Sequence, residues 1–184
     1  LDLIQLPADQ LRAAETFERQ GNGPLARAFY EKIWKDSVYG VAQWIKLYEI
    51  STREPAELPA IRKGFESLTD SGELVDAAAF LERRREFALA KTLYEKAWQH
   101  TASEPEHLAQ LYVLAQKGKL ETAGYKAALE RIQDSTQVLE AAYALERQQQ
   151  WAFAYRLFEK AWKIDWRKPD HLVALFNLAV KGGL

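Results

Sequence analysis

The 184-residue sequence predicts an all-α fold, a solenoid of stacked antiparallel helix hairpins. Three observations carry that expectation. A ten-residue pattern occurs three times, as LARAFYEKIW from Leu25, LAKTLYEKAW from Leu89 and FAYRLFEKAW from Phe153, at a spacing of 64 residues (89 − 25 and 153 − 89). A pair of small residues keeps the same period as Ala13-Ala14, Ala77-Ala78 and Ala141-Ala142, followed by Phe17, Leu81 and Leu145 and by Glu18-Arg19, Glu82-Arg83 and Glu146-Arg147. A second series runs between these blocks, with PEHLAQLYVLA from Pro105 answered by PDHLVALFNLA from Pro169, again at 64.

That spacing is about twice the roughly 34-residue unit of the commonest helical-hairpin repeat, so each period holds two hairpins. Helices are expected near 8–20, 24–37, 40–52, 56–68, 73–84, 87–100, 106–117, 120–132, 136–148, 151–164 and 170–181, making about five hairpins and an end helix in one domain over 1–184. In the second copy Ala90, Tyr94, Ala97 and Trp98 fall at i, i+4, i+7 and i+8, one stripe of an amphipathic helix. Asn22-Gly23-Pro24 separates the first two helices, and Pro24 is acceptable in a first turn, where no amide donor is needed. Pro55, Pro105 and Pro169 suit helix starts, and Pro59 falls near the first turn of its helix. Asp70-Ser71-Gly72 turns the chain before the helix through Ala77, and Lys117-Gly118-Lys119 ends the helix through Tyr112. The alanine pairs give flat patches where a neighbouring backbone approaches closely. Tyr94 and Phe158, with Trp34, Trp98 and Trp162 one turn further on, are expected to fill the interhelical core, each enclosed ring burying on the order of 150–250 Å².

Composition removes several function classes. Twenty-five Lys and Arg balance 26 Asp and Glu, which leaves no global charge to attract nucleic acid. Apolar runs fall far short of the roughly 20 residues of a membrane span. Zero Cys excludes disulfides and thiolate metal sites. No phosphate-binding glycine loop, HExxH or GxSxG pattern occurs. His107 and His171 stand a whole period apart, beyond a shared coordination sphere, so no catalytic, cofactor or metal residues are assigned. The first residues, LDLIQLPADQ, do not read as a signal peptide, and the absence of Met suggests a piece of a longer chain.

The sequence resembles the tetratricopeptide repeat family over nearly its whole length. Leu74, Ala77, Ala78, Leu81, Ala90, Tyr94 and Ala97 match the family pattern in order, as do Val138, Ala141, Ala142, Leu145, Ala154, Phe158 and Ala161. Ala13, Ala14, Phe17, Ala26, Tyr30 and Ile33 match in the first unit. The intervening hairpins fit loosely, Ala123 and Ala127 being suitable while Pro59 and Lys63 depart from the pattern. The resemblance implies a right-handed superhelix that serves as a non-catalytic protein-binding scaffold. In its Trp- and Ala-rich character the chain is also similar to the repeats of bacterial exopolysaccharide-export proteins that precede an outer-membrane barrel. That similarity implies the periplasm of a Gram-negative bacterium, with the cytoplasm as the alternative.

A repeat rod presents a concave face built by the first helix of each hairpin. Trp44, Tyr48, Glu82, Arg83, Tyr112, Tyr143, Glu146, Arg147 and Phe176 are the candidate partner-binding residues on it. Aromatics would anchor a protein or peptide partner and the Glu-Arg pairs would orient it. The competing reading has these aromatics packed against adjacent helices and the charge pairs joining neighbouring first helices. The rod is then a spacer between flanking domains of the parent chain, or a carbohydrate-associated surface. No nucleic acid and no membrane insertion are expected.

Overall fold

A computed structural model describes residues 6–35, 41–51, 58–101 and 104–183, and the described residues form eleven helices with no strand. All eleven expected helices are present, with ends within a few residues of expectation. They are α1 (Pro7–Arg19), α2 (Gly23–Lys35), α3 (Val41–Ser51), α4 (Leu58–Ser67), α5 (Ser71–Arg83), α6 (Phe87–Ala97), α7 (Pro105–Lys117), α8 (Ala123–Arg131), α9 (Ser135–Arg147), α10 (Trp151–Ile164) and α11 (Pro169–Gly182). Pro105 and Pro169 open their helices as expected, and Pro59 sits in the first turn of α4. Pro55 lies outside the described residues.

Several helix ends keep the same period. Asp70 accepts the backbone N–H of Glu73 (3.0 Å) and Asp134, one period on, accepts that of Gln137 (2.9 Å), each capping the start of its helix. Gly21, Arg85 and Gln149, also one period apart, all adopt the left-handed conformation (φ 74°, 64° and 59°). After the first and third of these, Asn22 donates to the Phe17 carbonyl (2.8 Å) and Gln150 to that of Leu145 (2.9 Å), the long bond of a Schellman turn. Lys119 and Gly183 form a second left-handed pair at the same period, after α7 and α11.

The chain divides into two compact units, Leu1–Arg84 and Arg85–Leu184. In the first, α1 packs on α2, α2 on α3, and α3 on both α4 and α5. Phe17 stacks on Phe29 (5.8 Å between centroids), and Ala14, Ala26, Tyr30 and Ile33 close the core beneath them. Trp44, Tyr48, Phe65 and Phe80 form an aromatic cluster in which Tyr48 meets Phe80 edge-on at 5.5 Å.

In the second unit α6 packs on α7, α7 on α8 and α9, and α10 on α9 and α11. Its core runs from Ala109 and Val113 through Val138, Ala141, Ala142 and Leu145 to Leu157, Phe158 and Leu178. Ala141 and Ala142 are fully enclosed, as close helix approach requires. The tryptophans depart from expectation. Trp98 is only half-buried, stacked between Tyr94 (4.6 Å) and His107 (4.1 Å), and Trp162 is half-buried as well. The side chain of Trp34 lies outside the described residues. Among the described residues the indole sunk in the core is that of Trp44.

Candidate functional site

Helix α9 shows how one segment serves both core and surface. Val138, Ala141, Ala142 and Leu145 recur at i, i+3, i+4 and i+7 and are buried, which turns Glu140, Tyr143 and Arg147 outward along the opposite face. Tyr143 remains 45% exposed, and its ring meets Phe158 beneath it edge-on at 4.9 Å, which fixes its orientation.

Around Tyr143 lies a cleft of about 580 Å³, lined by Glu106 of α7, Glu140, Glu146 and Arg147 of α9, Trp151 of α10 and Lys181 of α11. Two ion pairs tie its walls together. Arg147 donates from Nη2 to Glu106 Oε1 at 2.8 Å, and Lys181 donates from Nζ to Glu146 Oε1 at 2.8 Å. The Arg147 pair is well exposed, so it contributes little to stability and chiefly holds the cleft's shape. Three carboxylates and two cations leave one negative charge in excess. Among the described residues no group of acidic or histidine side chains is arranged to hold a metal.

Glu146 keeps a lysine partner that its counterpart in the first period also has. In the first period Tyr30 occupies the place of Phe158, and its hydroxyl donates to Glu18 Oε2 at 3.0 Å, with Lys46 on the other carboxylate oxygen at 3.4 Å. Phe158 has no hydroxyl. The equivalent Glu146, like Glu18, is met by a lysine of the next first helix, Lys181, but receives no phenol from this position.

The candidate residues separate into three groups. Tyr143, Glu146 and Arg147 come together in the cleft as the first-helix face requires, and Glu106, Glu140, Trp151 and Lys181 join them. Trp44 and Tyr48 are buried in the first unit and Tyr112 is half-buried against Phe153 (5.0 Å). Their rings fill wedges between helices, so Trp44 and Tyr48 present no face to a partner, in correction of their expected role. Glu82 is half-buried and Arg83 exposed at the end of α5. Phe176 is 68% exposed, but one period earlier its place is held by Tyr112, a packing position rather than a groove position. A local signal for Glu106 is present, since an acidic side chain after the proline that opens α7 suits the first turn of a helix. Lys181 carries no such signal, being one of several cations near a helix end.

No family model matches the chain, and no curated protein matches it. Solved structures similar to it include the C-terminal part of a TPR repeat-containing protein from Cytophaga hutchinsonii, 14% identical over 96% of this chain and 76% of that one, with a TM-score of 0.43. YrrB, described as a TPR protein with an unusual peptide-binding site, is 17% identical over 91% of this chain and 89% of its own, with a TM-score of 0.37. MamA is 15% identical over 85% of this chain and 96% of its own, with a TM-score of 0.38.

Proposed function

We propose that this chain is a non-catalytic scaffold that docks a protein or peptide segment on the first-helix face of its second unit, in the cleft around Tyr143. The observation that carries this reading is a half-exposed tyrosine fixed edge-on by a buried phenylalanine, beside Trp151, in a cleft braced by two interhelical ion pairs. An aromatic already held in place loses little freedom when a partner covers it, so most of its burial is realised as affinity. Glu140 and the bridged charges would fix the partner's orientation. A periplasmic exopolysaccharide-secretion assembly belongs to the same proposal as its setting, and rests only on the resemblance of the Trp- and Ala-rich repeats.

The test is capture of partners by the intact chain, followed by Tyr143→Ala and Trp151→Ala with melting measured on each. Loss of a partner by a variant that still melts with the parent supports docking in the cleft. A partner retained by both variants moves the interface elsewhere. A folded chain that captures nothing favours the spacer, in which the stack only separates flanking domains.

A further inference from the structure

We propose that the group the Tyr143 cleft takes from its partner is an arginine side chain, its guanidinium laid on the exposed tyrosine ring and bonded to Glu140. The assignment rests on docking in that cleft and names what the partner brings to it.

The charges of the cleft point to a cation. Arg147 and Lys181 are each engaged by a carboxylate at 2.8 Å, whereas among the described residues Glu140 has no hydrogen-bond or ion-pair partner. Glu140 precedes Tyr143 by three positions on α9, so carboxylate and ring are neighbours on one helix face. Two differences from the preceding period create this arrangement. Tyr143 stands where that period has Ala79, and Glu106, which holds Arg147, stands where it has Ala42. An acidic group of a partner therefore meets no cation that is not already paired. Nor is the ring open for want of neighbouring helices: α9 is joined to the first helices before and after it, to α7 through Glu106 and to α11 through Lys181, and Tyr143 is still 45% exposed.

The same unit shows what an aromatic ring beside a carboxylate takes. Lys91 stands over the Tyr125 ring, 5.4 Å from its centroid, and donates to Glu95 Oε1 at 3.0 Å, while the Tyr125 hydroxyl donates to the same carboxylate. Arg156 likewise covers Phe153 at 5.2 Å and Arg167 covers Trp166 at 5.5 Å. Among the described residues no cation covers Tyr143 or Trp151. The cleft thus has the ring and the carboxylate of the Tyr125 cluster and lacks its cation. Arginine suits the place better than lysine, because a flat and weakly hydrated guanidinium lies against a ring and still donates in its own plane to a carboxylate at the rim. Glu140 then selects the partner's charge, and ring contact supplies most of the affinity.

The test uses the whole chain and a set of blocked pentapeptides that differ only at the central residue, which is arginine, its neutral isostere citrulline, lysine or glutamate. Binding is followed by the NMR shifts of the Tyr143 and Trp151 rings. The arginine peptide is expected to shift both rings, and the citrulline peptide to bind about tenfold more weakly, because the charge acts on both the ring and Glu140. Glu140→Gln should weaken the arginine peptide about threefold and leave the citrulline peptide unchanged, as a coupled exposed pair requires. Glu140 is exposed, so this variant is expected to melt with the parent. Equal binding of arginine and citrulline, lysine or glutamate bound as tightly as arginine, indifference to Glu140→Gln, or no shift of either ring overturns the arginine assignment. Docking in the cleft is judged separately: it survives that failure if Tyr143→Ala still loses the captured partner, and it fails if Tyr143→Ala and Trp151→Ala both keep it.

Discussion

Three residues one period apart, Gly21, Arg85 and Gln149, occupy the left-handed conformation that only glycine adopts without steric cost. The turn is needed to close each first helix, so the backbone conformation persists where the side chain disfavours it. Gln149→Gly is therefore expected to raise stability by about 0.5–1 kcal/mol and Gly21→Ala to lower it by about 1 kcal/mol, both read from denaturant midpoints. Opposite signs for the two substitutions are the diagnostic; equal signs would mean that propensity outweighs the turn. Tyr30 offers a second measurement. Burial first, and then its hydrogen bond to Glu18, hold its phenol above the ordinary tyrosine range. A group raised in the folded state stabilises fully below its unfolded value, near pH 10, and that contribution disappears as pH rises through the folded value. Stability should thus fall with pH above about 10, and Tyr30→Phe should flatten the fall. Part of the residual slope would come from Tyr125, also raised by burial and by its bond to Glu95. Phe158 at the equivalent place shows that the fold accepts the change.

At the level of elements, α3 and α4 meet through an exchange of volume. A methyl group added at Gly64 would lie 2.1 Å from the Trp44 ring, inside any permitted contact, and that ring is itself pinned against Phe65. One period later the same two places hold Leu108 and Ala128, a smaller side chain facing a larger one. Gly64→Ala is expected to cost about 1–3 kcal/mol despite the better helix propensity of alanine, because the indole cannot retreat. Unchanged stability would show that Trp44 is not seated on α4. Ala142→Trp makes the same point at a fully enclosed position of α9 and should cost at least as much by thermal melting. This exchange also explains how much of the fold was legible. Helices α5, α6, α9 and α10 follow from alanine pairs and aromatic stripes that state their own period. The departure of α4 from the repeat pattern, with Pro59 and Lys63 at small-residue places, left its packing unread, because a glycine inside a helix gives no hint of the indole that fills its space. Trp98 and Trp162 lie shallower than the period predicts for a related reason: the period assigns a side to each residue but says nothing of how far the next helix covers it.

For the molecule as a whole, the candidate site was legible only where one helix supplied it. Tyr143, Glu146 and Arg147 follow from the face of α9 that its buried residues leave open, whereas Glu106 and Lys181 reach them from 41 and 35 residues away along the chain. Which glutamate meets Arg147 depends on how α7 and α9 cross, and no local pattern encodes that crossing. Trp44, Tyr48 and Tyr143 all lie on first helices but at different places in the repeat, Trp44 and Tyr48 on the packed side of α3 and Tyr143 on the face of α9 that its buried residues leave open. The chain carries a formal charge of −1, and both cations of the cleft are engaged by carboxylates at 2.8 Å. A partner docking at Tyr143 therefore gains chiefly from aromatic burial, which salt does not screen. Raising salt from about 0.1 M to about 1 M shortens the screening length from about 10 Å to about 3 Å and removes most of the exposed charge contribution. The dissociation constant of the captured partner, measured by calorimetry across that range, is expected to rise by no more than about threefold, whereas electrostatically steered complexes weaken steeply. A loss of tenfold or more would instead assign the binding energy to charged side chains, with Glu140 the first to neutralise as Glu140→Gln.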